Sequence, residues 1–156
     1  MKIELKQIDI TEAELVIELF NKYRIFYNQV SDLNLANKYI QERLNKNESI
    51  IFIAFVEIDS LKIPIGFTQL YPNYSSIRAV KNWTLNDLYV EQEYRKMGVG
   101  ELLINKVIDF AEKNEAKKIE LSTGVDNKAA QSLYEKIGFE RQQPDEEYYT
   151  YTLTLK

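Results

Sequence analysis

The chain has 156 residues, 45% of them hydrophobic, and 20 Lys+Arg stand against 24 Asp+Glu for a formal net charge of -4. That is the size and composition of one globular domain with a core of its own, and the acidic balance runs against a surface built to hold nucleic-acid phosphates. The chain has no cysteine and no histidine, which excludes disulfides, thiolate and imidazole metal sites, and catalysis by Ser-His or Cys-His pairs.

Acid–base chemistry is therefore left to Asp, Glu, Tyr, Lys, water or backbone groups. No metal site is expected. The longest purely apolar run, Ile50 to Val56, is too short to span a bilayer, and Met1–Lys6 alternates apolar and charged residues, unlike a signal peptide. A soluble, cytoplasmic protein with no membrane partner is expected, as one domain over 1–156.

In chain order, residues 2–8 alternate as a strand does. Thr11-Glu12-Ala13-Glu14 reads as a capping box, opening a helix with Val16, Leu19, Phe20 and Tyr23 on one face. A second helix starts at Ser31, carries Leu33, Ala36, Ile40 and Leu44, and ends near Asn45–Asn47. Ile50–Ile58 and Ile63–Tyr71 are β-rich runs around a turn at Asp59-Ser60 and predict a hairpin, with Pro64 placing the second run's start at an edge or unpaired position. Trp83–Val90 is a further strand. A helix from Val99 to Asn114 turns Val99, Leu102, Leu103, Val107, Phe110 and Ala111 inward, and Ile119–Leu121 is a short strand. Ala130, Leu133, Tyr134 and Ile137 mark a last helix, with Gly138 at its C-terminal cap. Phe139–Gln142 and Tyr148–Leu155 predict two closing strands. The order gives a mixed α/β fold: a largely antiparallel sheet of about seven strands flanked by four helices.

Arg95-Lys96-Met97-Gly98-Val99-Gly100 lies between the strand ending at Val90 and the helix from Val99. Glycines at such a junction let backbone N–H groups approach a ligand, and the helix start adds partial positive charge, which suits a pyrophosphate; a plain tight turn uses the same residues. It is not a P-loop, because Glu101-Leu102 follow Gly100 where Lys and Ser/Thr are needed. A dinucleotide fingerprint fails at Leu103, where a small residue belongs.

The loop resembles the coenzyme A loop of the GNAT acetyltransferase superfamily, Arg/Gln-x-x-Gly-x-Gly/Ala. Leu85–Tyr94 is similar to that family's fourth strand and its turn. Downstream, Asp126–Phe139 resembles its Asn-x-x-Ala-x-x-x-Tyr-x-x-x-Gly-Phe signature. The likeness runs from about residue 50 to the C-terminus, nearest in feel to the small-amine and diamine branch. It implies an acetyl-CoA-dependent transfer of acetyl to the primary amine of a small molecule, of amino acid or polyamine type, by direct attack in a ternary complex.

By the same resemblance, the backbone of Leu88, Tyr89 and Val90 meets the pantetheine arm, and that of Lys96, Met97, Gly98, Val99 and Gly100 holds the pyrophosphate. Arg95 neutralises charge beside it or is a solvated surface arginine. Asn127 contacts the coenzyme arm and Ala130 leaves room for it. Tyr134 protonates the departing thiolate, or completes a helical apolar stripe. The diamine branch uses a glutamate as base where this chain has Asn86, which cannot accept a proton. Asp87 is next to it, but strand alternation points it to the opposite face unless a bulge intervenes. The base is then Asp87, another carboxylate, or water oriented by Asn86. The acceptor pocket is expected to draw on Tyr23, Arg24, Phe26 and Tyr27, and on Tyr71, Tyr74 and Trp83. The alternatives are a protein or peptide acetyltransferase and a non-catalytic acyl-CoA-binding regulator. A homodimer is also open to the chain, through the β-rich tail.

Overall fold

A computed structural model describes residues 1–155. The chain divides into two compact units, Met1–Ser122 and a segment from Thr123 on, each described by itself.

The first unit is built on a five-stranded sheet in sequential order: β1 (Ile3–Gln7), β2 (Ile50–Ile58), β3 (Leu61–Ser75), β4 (Val80–Val90) and β5 (Ile119–Glu120). Neighbours are antiparallel except β4 and β5, which are parallel and joined through a helix. Phe52 to Val56 of β2 are all buried, as expected of a central strand covered on both faces. One face carries Ile51, Ile53, Phe55 and Phe67 against Leu19 and Phe20 of α1 (Ile17–Phe26) and Ala36, Ile40 and Leu44 of α2 (Leu33–Asn45). On the other face lies α3 (Val99–Lys113), whose Phe110 meets Phe52 and Trp83 edge-on at 5.7 and 5.1 Å.

The first cap lies earlier than Thr11. Asp9 caps a short 3-10 stretch, Ile10–Leu15, accepting Thr11 N–H at 2.9 Å while Glu12 reaches back to Asp9 N–H. Asp9 precedes Thr11 and is the stronger acceptor, and the Thr11 hydroxyl itself donates to it. Asp32, not Ser31, caps α2 by accepting from Leu35 N–H. Pro64 lies in a strand with two neighbours, yet the ladder to β4 begins only at Gly66. Its missing N–H therefore falls where β3 is paired on one side.

The second unit contains α4 (Lys128–Ile137), closed by Gly138 at φ 125°, whose N–H donates to Tyr134 O at 3.1 Å. The two closing strands expected at 139–142 and 148–155 are not formed; the described residues hold five strands, not seven. Tyr/Thr/Leu alternation supplies β propensity, but a strand exists only with a ladder partner. The hydrogen bonds here are local, with Glu147 and Tyr148 N–H both donating to Asp145.

Candidate active site

The site in the first unit begins with a break in the β3–β4 ladder. Gln69 pairs with Asp87 and the next rung joins Leu70 to Leu85, so Asn86 is an extra residue in β4. This bulge defeats simple alternation. Phe67 and Tyr89, partners on one rung, belong to the α1–α2 face. Gln69 and Asp87 lie two residues from them along each strand and share that face.

Asp87 is 1% exposed. Its Oδ1 accepts from Asn86 Nδ2 at 2.8 Å and its Oδ2 from Gln69 Nε2 at 2.6 Å. Tyr23 of α1 donates its hydroxyl to Asn86 O at 3.1 Å and also hydrogen-bonds the carboxylate. Burial raises the Asp87 pKa from 3.8 to about 6, against the lowering pull of the hydrogen bonds from Asn86, Gln69 and Tyr23. At neutral pH the group is mostly ionised, yet far more basic than an ordinary carboxylate. Beside it, the Tyr39 and Tyr71 hydroxyls are 2.6 Å apart, and the Arg43 guanidinium covers the Tyr39 ring at 4.6 Å. Burial first, and then the charge of Asp87, hold the Tyr71 hydroxyl far above its usual range, so it stays protonated.

Leu88, Tyr89 and Val90 are half-buried at the end of β4. β5 pairs only with Trp83 and Thr84, which leaves the edge from Leu85 to Val90 without a ladder on that side among the described residues. After a turn of 3-10 helix at Gln92–Tyr94, the chain passes Lys96 at φ 63° and Gly98 at φ 84° and enters α3. No side chain caps that helix at Gly98, so its first-turn N–H groups present their partial charge at the loop. Gly100 is already inside the first turn. Arg95 is neither simply solvated nor free beside the loop. Its Nε donates to Val90 O at 2.8 Å, and its guanidinium lies over the Phe26 and Tyr89 rings at 5.7 and 5.5 Å.

In the second unit Asn127 caps α4, its Oδ1 accepting from Ala130 N–H at 3.2 Å. Tyr134 is half-buried, its ring edge-on to Phe139 at 5.9 Å.

The structure thus joins Asn86 and Asp87 in one cluster and Arg95 to Gly100 in one loop. Of the aromatic residues expected at the acceptor pocket, Tyr23 and Tyr71 border Asp87. Trp83 instead packs on Phe110 of α3, on the opposite face, and Tyr74 is 70% exposed. Sequence reasoning missed Gln69 and Tyr39. For Gln69 a signal existed: a lone amide within the apolar run Ile65–Leu70, in phase with Phe67 and Tyr71. Among the described residues no cluster of carboxylates gathers as a metal would require, and no helix is long and apolar enough to cross a membrane.

The sequence profile of the Acetyltransferase (GNAT) family matches residues 14–139. The chain is 40% identical over 136 residues to the "Uncharacterized N-acetyltransferase YhfO" of Bacillus subtilis, covering 87% of this chain and 89% of that protein. It is 34% identical over 74 residues to the thialysine N-epsilon-acetyltransferase of Bos taurus, 47% of this chain and 43% of that one. A crystal structure of a probable acetyltransferase superposes with a TM-score of 0.86 at 35% identity, covering 98% of both chains.

Proposed function

The chain belongs to the GNAT acetyltransferase family, and on that premise we propose that it transfers acetyl from acetyl-CoA to the primary amine of a small molecule, of amino acid or polyamine type. The carrying observation is Asp87, a buried carboxylate brought onto the acceptor face by the Asn86 bulge and raised to a pKa of about 6. The name of the thialysine-acetylating relative agrees with a small primary amine. We read residues 1–156 as one catalytic domain acting in the cytoplasm, with homodimer formation a matter for sedimentation.

The residues fit the coenzyme. Uncapped N–H groups at the start of α3 suit its pyrophosphate, Arg95 and Lys96 add positive charge, and the unladdered edge of β4 suits an extended amide-bearing arm. Arg95 must release Val90 O if that carbonyl is to serve the arm. Asn127 spends its oxygen on the α4 cap, which leaves its Nδ2 to donate.

An ammonium has no lone pair and must lose a proton before it can attack. Asn86 turns its NH2 to Asp87, so its Oδ1 faces away and can hold a water or the amine itself. Asp87 receives the proton through an ordered water that bridges the amine and the carboxylate, and its raised pKa brings it closer to the operating pH, as a base requires. The nitrogen lone pair then forms the C–N bond while the C–S bond breaks, and Tyr134 supplies the proton to sulfur. Incubation with acetyl-CoA and a panel of amino acids, polyamines and short peptides, read by mass spectrometry, tests the reading. Acetylation of small amines supports it; acetylation confined to peptides, or none at all, overturns it.

A further inference from the structure

Gln69 holds Asp87, but that accounts for only half of its amide. It is wholly buried on β3, on the rung facing Asp87. A carboxylate has only acceptor sites, so an amide beside it must turn its NH2 inward. Nε2 does so at 2.6 Å, while Oε1 is buried with no hydrogen-bond partner among the described residues. A carbonyl oxygen in that position calls for a donor. Asn86, the other amide on the carboxylate, is solvent-exposed and can turn its oxygen to bulk water, whereas Gln69 Oε1 can meet a donor only through a ligand or water admitted to the cluster. The rung lies three residues from the end of β4, on the face shared with Tyr23, Tyr71 and Tyr89.

We propose that Gln69 is a specificity-determining residue of the acceptor site, its Oε1 accepting an N–H of the attacking nitrogen while its Nε2 holds Asp87. The inference rests on acetyl transfer to a small amine and names what the site selects: a nitrogen that keeps an N–H throughout the reaction. A primary ammonium starts with three. One proton goes to Asp87, freeing the lone pair that forms the C–N bond. A second leaves the nitrogen as the C–S bond breaks, balancing the proton that sulfur gains. The third remains in the product amide and can stay on Oε1 from start to finish. A secondary amine surrenders its last N–H before the amide is complete. An alcohol has no donor left once it is deprotonated. Both leave Oε1 buried and unmet in the course of the reaction, and a buried polar group without its partner is the strongest means a site has of rejecting an analogue.

The test compares propylamine, N-methylpropylamine and propanol in the intact protein and in Gln69→Leu, which keeps the volume and removes the amide. The parent should favour propylamine over N-methylpropylamine at least about tenfold in kcat/KM and leave propanol untouched. Gln69→Leu should lower the rate with propylamine, bring the amine ratio close to one, and move the acid limb of the pH profile upward as Asp87 loses a donor. Gln69→Met serves the same comparison if the leucine variant fails to fold. A fall in both amine rates with the ratio retained would overturn the contact and leave Gln69 as a positioning residue for Asp87. Calorimetric titration of propylamine into protein saturated with coenzyme A gives a readout without turnover. Equal affinity in the parent and Gln69→Leu would overturn the inference even where no acetylation occurs, whereas coenzyme binding without acetylation of any amine counts against the proposed function.

Discussion

Replacing Asp87 by Asn should make the protein more stable and the enzyme slower, and the structure sets the size of both effects. The native pKa of about 6 lies above the ordinary 3.8, so the folded state binds the proton more tightly than the unfolded one. That preference costs nothing below about pH 4, accumulates as pH rises from about 4 to 6, and is complete above it. Two pKa units correspond to about 3 kcal/mol at neutral pH. An asparagine has no such cost. Its oxygen can keep accepting from Gln69 Nε2 while its NH2 faces Asn86, whose exposed amide can flip to accept it, so the network can close again. A gain of about 1–3 kcal/mol at pH 7 is expected, or about 3–10 °C in Tm for a chain of this length, with little gain at pH 4. The rate should fall about 10²- to 10³-fold at neutral pH and recover above about pH 9, where a free amine no longer needs a base. Thermal melts at pH 4.5 and 7.5, together with pH–rate profiles, measure both. Unchanged activity with an unchanged pH profile would remove Asp87 from the chemistry; unchanged stability at pH 7.5 would refute the cost assigned to its burial.

Tyr134→Phe keeps the ring against Phe139 and removes only the hydroxyl, so kcat should fall about a hundredfold with coenzyme affinity retained; an unaltered kcat would make Tyr134 a packing residue. Gly100 lies within the first turn of α3, where a side chain costs little backbone strain, so Gly100→Val should fold and lose coenzyme affinity by calorimetry, and retained affinity would show that the pyrophosphate does not approach there. At Gly66, a Cβ would stand 2.9 Å from Tyr89 O, backbone that must move to admit it. Gly66→Ala should therefore lose about 1–3 kcal/mol in a denaturant melt, and an unshifted midpoint would contradict the close approach of β3 and β4.

Helices and central strands were legible because their signals are local. The stripe Val99, Leu103, Val107 and Ala111 and the β-rich runs of β2 and β3 carry their periods within single segments, although Leu102, expected inward, is exposed. The turn into α3 was legible because Gly98, at φ 84° before the first helical residue, is a local signal. The Asn86 bulge was not, since register is a property of two strands and the slip between Gln69 and Leu70 appears only once β3 is paired with β4. Trp83 was misplaced for the same reason. One extra residue between it and Asp87 exchanges the faces of the sheet, and Trp83 goes to Phe110 rather than to the tyrosines. The tail failed differently: residues 148–155 have strand composition, but composition does not supply a partner.

The bulge also explains why the candidate base can be an aspartate one residue beyond the position that carries the glutamate in the branch this chain resembles. On a regular strand, Asp87 would share a face with Leu85 and Trp83, both buried, and ionising it there would have little to offset the loss of water. The extra residue turns it to Gln69, Asn86 and Tyr23, three donors that partly offset burial and leave the pKa near 6 rather than higher. Asn86 then serves twice, as the residue that breaks the register and as a donor to the carboxylate it turns to the α1–α2 face. Leucine at 69 and 87 would fold at lower cost, since it would remove an unpartnered buried oxygen and a buried charge. The sheet instead carries both polar groups on one rung of its interior, where the proposed amine chemistry would give each of them a partner.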